Sequence, residues 1–71
     1  MASIDRIRQI YDAHDSDKNG VLSVEEAELA YKALGSLAKQ YPNFVAEFNK
    51  LANSEGVITF EQFKSFVKDL S

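Results

Sequence analysis

A seven-residue phrase occurs twice in this chain, and the repeat limits what it can fold into. Gly20-Val21-Leu22-Ser23-Val24-Glu25-Glu26 returns as Gly56-Val57-Ile58-Thr59-Phe60-Glu61-Gln62 with only conservative changes. Each copy follows turn chemistry: Asp-Ser-Asp-Lys-Asn-Gly from Asp15 in the first half, and Asn53 to Gly56 in the second. Each also carries Ser or Thr followed three residues later by Glu or Gln, the mark of a capped helix start. A unit of two short helices around a loop cannot bury its own apolar face, so two copies are expected to pack on each other. With 71 residues, there is room for one such domain.

Apolar spacing supplies the helices. Ile4, Ile7, Ile10 and Tyr11 form one face of a first helix that stops at Asp15. The second begins at Ser23, with Ala27, Ala30, Tyr31 and Leu34 inward, and is expected to continue to about Leu37, since Gly35 weakens a helix without having to end it. Pro42 suits the first position of a third helix whose buried stripe is Phe44, Val45, Phe48 and Leu51. Thr59 and Gln62 open a fourth, with Phe60, Phe63, Phe66, Val67 and Leu70 as the most apolar face of the chain. The expectation is an all-α, four-helix lobe over residues 1–71. Its halves lie at about 3–37 and 42–70, joined between their loops by a short antiparallel bridge pairing Leu22 with Ile58.

Composition removes several functions. Apolar residues make up 45% of the chain, including five Phe and three Tyr, which argues against disorder. The absence of Cys and the single His exclude thiolate and multi-histidine zinc sites. A net charge of −3 disfavours nucleic acid and anionic membranes and favours cations or basic partner segments. Asp5, Arg6 and Arg8 interrupt any leader-like apolar run, no stretch approaches the roughly 18 apolar residues of a membrane span, and Ala2 excludes myristoylation. A cytoplasmic chain without membrane insertion is expected. No nucleophile–base set or phosphate loop is apparent, so the expected function is binding rather than catalysis.

The segment Asp15–Glu26 has the chemistry of a calcium site. Calcium takes about six to eight oxygen ligands in a flexible shell. Asp15, Asp17 and Asn19 stand at positions one, three and five of a twelve-residue loop, with Gly20 at the sharp turn of position six. Val21 offers a carbonyl at seven, Ser23 a hydroxyl or a water at nine, and Glu26 a bidentate carboxylate at twelve. These residues resemble the EF-hand superfamily over nearly the whole chain. The resemblance implies one Ca²⁺ per chain, with Mg²⁺ as competitor, and an affinity of roughly 10⁻⁷ to 10⁻⁵ M. It also places His14 where such loops often carry an aromatic closing the first helix.

In the second loop, about 51–62, position one is Leu51 and position twelve is the neutral Gln62, leaving Asn53 and Glu55 as plausible side-chain ligands. One carboxylate does not offset the dehydration of a divalent ion. A longer register from Asn49 would depend on backbone carbonyls. The second half is expected to keep the scaffold and lose the metal.

The aromatic faces exceed what a core this small is expected to enclose, which points to a partner surface of Ile4, Ile7, Tyr11, Phe63, Phe66, Val67 and Leu70. With Met1 the only methionine, that surface suits one dedicated partner better than many. By size and loop order the chain resembles the single-lobe light chains of amoebal class I myosins. That resemblance implies a monomeric, cytoskeleton-associated subunit clasping a basic amphipathic helix such as an IQ motif; the metal-free second half is expected to keep part of the groove available at rest, with calcium as a tuner. The alternatives are a soluble calcium buffer and a regulatory lobe of a larger protein.

Overall fold

The computed structural model describes residues 3–16 and 18–68. It is mostly helical, with four α-helices and one small antiparallel sheet. Helix α1 runs Ile4–His14. Ser3 caps it by accepting from the Arg6 N–H, and Asp5 lies in the first turn, where a carboxylate favours the helix dipole. Strand β1, Val21–Ser23, leads into α2, Val24–Leu34. Strand β2, Val57–Thr59, leads into α4, Phe60–Phe63, and helix α3, Phe44–Leu51, lies between the halves. Both expected capping boxes are present, Ser23 with Glu26 and Thr59 with Gln62.

The strands pair with Leu22 opposite Ile58, and both side chains are fully buried. This pairing ties the two loops side by side at one end of the molecule. Helix α1 packs against α2 and α4, and α2 against α3. Ile7, Tyr11, Ala27, Ala30, Phe48, Phe63 and Phe66 meet in the core between them, each essentially without solvent exposure. Each of the larger side chains contributes about 1.5–3 kcal/mol by leaving water.

The structure differs from the sequence expectation at three element ends and in the exposure of Val45. Helix α2 stops at Leu34 rather than Leu37, because Gly35 turns to φ +57 and a 3₁₀ turn, Gly35–Leu37, follows. Helix α3 begins at Phe44 behind Asn43, whose side chain accepts from the Ala46 N–H, so Pro42 precedes the helix and does not open it. Val45 is 42% exposed and does not belong to the buried stripe of α3. The fourth helix is short: after Phe63 the chain tightens into a second 3₁₀ turn, Lys64–Phe66, and Val67 is extended.

Val67 instead forms an antiparallel bridge with Ala38, at the exit of the first 3₁₀ turn. Lys39 N–H donates to the Phe66 carbonyl at 2.8 Å and Lys68 N–H to the Leu37 carbonyl at 2.9 Å. Tyr31 stacks on Phe44 and lies edge-on to Phe66, while Tyr41 also meets Phe66 edge-on. The segment 35–41 is therefore a strap that binds the chain after α4 to the α2–α3 half. Among the described residues, no helix is long and apolar enough to cross a membrane.

Candidate metal centre

The first loop begins where α1 ends. Asp15 caps that helix with its backbone and is 4% exposed. Its Oδ2 accepts from the Gly20 N–H at 2.9 Å, folding the loop back on its start. Its Oδ1 is buried with no hydrogen-bond partner among the described residues. A carboxylate oxygen out of water and unpaired costs stability unless a positive charge or donor meets it.

The chain turns twice to make this possible. Lys18 has φ +54 and Gly20 φ +85, both in the left-handed region, and Lys18 N–H donates to the Asp15 carbonyl at 3.2 Å. Lys18 Nζ reaches back to the Asp12 carbonyl, so its charge is directed to the end of α1. Asn19 Oδ1 accepts from the Val21 N–H at 3.2 Å.

Glu26 closes the far side. Its Oε1 accepts from the Ser23 N–H and its Oε2 from the Ser16 N–H, each at 3.0 Å. The Ser23 N–H holds the Glu26 carboxyl below its usual value, with Ser16 adding to the effect and burial opposing it. One side chain from α2 thus spans the loop from its ninth position to its second.

Asp15, Asn19, Val21, Ser23 and Glu26 are therefore joined in one hydrogen-bonded loop, while Asp17 lies outside the described residues. No set of three acidic, His or Cys side chains is gathered as a metal cluster among the described residues, where Asp15 and Glu26 are the carboxylates at the expected ligand positions. The donors are all oxygen, and one of them is a buried carboxylate oxygen without a partner. That chemistry fits a hard cation such as calcium. Full bidentate use of Glu26 would require its oxygens to share or exchange the two N–H groups they now accept.

Comparison of the chain with protein-family models, curated proteins and solved structures gives no match.

The second loop satisfies itself. Gln62 Nε2 donates to the Leu51 carbonyl, and Gln62 Oε1 accepts from the Thr59 N–H. Asn53 Oδ1 accepts from the N–H groups of Glu55 and Val57, and its own N–H donates to the Val57 carbonyl. The side chains at positions three and twelve are thus occupied within the loop.

Most residues of the anticipated partner surface are buried in this structure. Ile7, Tyr11 and Phe63 are 0% exposed, Phe66 1% and Val67 4%, because the helices close on them; Leu70 lies outside the described residues. Ile4 alone of that set is exposed, at 40%. Among the described residues the other exposed large apolar side chains are Leu29 and Val45, so the expected aromatic surplus is enclosed.

Tyr11 has a polar role that apolar periodicity hides. Its hydroxyl donates to the Gly20 carbonyl at 2.5 Å and lies 3.4 Å from the Ile58 carbonyl, touching both loops. Burial pushes this hydroxyl above its usual pKa, and the nearby Asp15 adds to the push. The visible signal was a tyrosine on an apolar face one turn before an acidic loop, where phenylalanine would serve for packing alone. His14 Nδ1–H donates to the Ile10 carbonyl at 2.9 Å and finishes the last turn of α1.

Proposed function

We propose that this chain is a single EF-hand lobe that binds one calcium ion in the loop Asp15–Glu26. The observation that carries the reading is Asp15 Oδ1 at the first ligand position, a buried carboxylate oxygen without a partner among the described residues. Asn19, Val21, Ser23 and Glu26 would supply further oxygens, with Asp17 at the third position. The self-bonded second loop, with the uncharged Leu51 and Gln62 at its first and twelfth positions, supports one ion rather than two. Amide NMR with calcium added tests the site: the Gly20 resonance should move strongly and that of Gly56 little. An unmoved Gly20 removes the reading.

What the ion does has two readings. A light-chain-like subunit would clasp a basic amphipathic helix, such as a class I myosin IQ motif, and the net charge of −3 supports such a partner. That helix would have to part the closed core, since Ile7, Tyr11, Phe63 and Phe66 are at most 1% exposed. The enclosed core and its strap favour the second reading, a calcium buffer that changes shape little. Calorimetric titration of an IQ-motif helix, with calcium and with chelator, separates them. Binding in either condition supports the light-chain role, and none in both leaves the buffer.

A further inference from the structure

The peptide group joining Gly20 to Val21 is held at both ends. Its N–H, that of Val21, donates to Asn19 Oδ1 at 3.2 Å, and its carbonyl accepts from the Tyr11 hydroxyl at 2.5 Å. The N–H of Gly20 itself is held by Asp15 Oδ2 at 2.9 Å. Two of these three anchors are candidate ligands. The third, Tyr11, belongs to α1 and stands outside the loop.

Resting on the calcium reading, we infer that Tyr11 is a positioning residue for the site. Successive carbonyls of extended backbone face opposite sides, so pinning the Gly20 carbonyl toward the core sets the next one, that of Val21, toward the loop. Val21 is the residue expected to ligate through its carbonyl. Tyr11 therefore orients a ligand without touching the ion.

The ring that carries this hydroxyl is fixed by the other half of the molecule. Phe60 meets it edge-on at 5.3 Å and Phe63 lies at 5.6 Å, and both belong to α4. The same hydroxyl lies 3.4 Å from the Ile58 carbonyl in β2. The second half, without an expected ion of its own, thus holds the tool that shapes the first loop. A peptide already oriented loses less freedom when the ion arrives, and affinity rises accordingly.

The test is Tyr11→Phe, which keeps the ring and removes the hydroxyl, with Tyr31→Phe as a control far from the loop. Calcium affinity is read by calorimetry, and hydrogen exchange of the Val21 amide is read in chelator. In Tyr11→Phe the dissociation constant should rise about two- to tenfold, the worth of one neutral hydrogen bond. The Val21 amide should exchange faster, and Tyr31→Phe should leave both quantities unchanged. A dissociation constant and Val21 exchange equal to wild type, with thermal stability lowered equally with and without calcium, would reduce Tyr11 to a structural residue. Wild-type protein that takes up no calcium would overturn the site together with the role of Tyr11, an outcome visible before any variant is made.

Discussion

The side-chain amide of Gln62 donates to the carbonyl of Leu51 at 2.5 Å, tying the start of α4 to the end of α3 across the second loop. At the matching positions of the first loop stand Glu26 and Asp15, and there Asp15 Oδ1 remains buried without a partner. One loop is closed by a hydrogen bond, and the other buries a carboxylate oxygen.

Gln62→Glu replaces the donor with a carboxylate facing a carbonyl. The variant should lose about 1–3 kcal/mol, seen as a lower urea midpoint at unchanged slope. It should still bind one calcium ion, because Leu51 continues to offer no side-chain oxygen. A second ion in calorimetry would show that the lost carboxylate alone had silenced this loop.

Asp15→Asn removes the charge of a buried carboxylate of which Oδ2 alone is hydrogen-bonded among the described residues. Thermal stability in chelator should hold or rise by about 1 kcal/mol, since an amide is less costly to bury unpaired. Stabilisation by calcium should largely disappear. A variant equally stabilised by calcium would place the ion elsewhere.

The pH dependence of stability should expose Glu26. Its carboxyl lies below the ordinary value of 4.5 in the folded protein, chiefly through the Ser23 N–H. The stability it contributes is therefore complete above 4.5 and is lost as pH falls through the lowered folded value. Glu26→Gln should flatten the acid limb of stability plotted against pH. The variant should fold, because Gln62 forms the same capping box in the second half. An acid limb as steep as wild type would assign the effect to other carboxylates.

The strap is tested by exposure of apolar surface. Wild-type protein should bind a hydrophobic dye equally weakly with and without calcium. Lys39→Pro deletes the N–H that donates to the Phe66 carbonyl and should lower stability by about 1 kcal/mol. Dye binding should then rise when calcium is added. A calcium-dependent signal in the wild type would instead mean that the ion opens the lobe unaided.

The repeat and its capping residues made the four helices, the two loops and the Leu22–Ile58 pairing legible, because these depend on local chemistry and alternation. Their ends were less so. Gly35 tolerates helix in principle, and only its positive φ shows that the chain leaves it. The Ala38–Val67 bridge joins backbone to backbone, so no side-chain pattern announces it. That Asp15, Asn19, Val21, Ser23 and Glu26 share one loop was readable from spacing. The burial of Asp15 and the second partner of Glu26 at Ser16 depend on how the loop folds over its own start. The burial of the aromatic residues was not legible, because spacing reports which side chains share a face, not whether another element covers it.

The self-bonded second loop has a kinetic consequence. Its turn needs no ion to form, so it can assemble early and offer β2 as a template on which β1 then zips. If the first loop is ordered only after the main folding barrier, calcium will leave the refolding rate nearly unchanged and will slow unfolding. The ion would then act as a brake on escape from the native state rather than as a trigger for reaching it. In a denaturant series, the two arms of the rate profile should respond to calcium unequally, with the unfolding arm alone displaced.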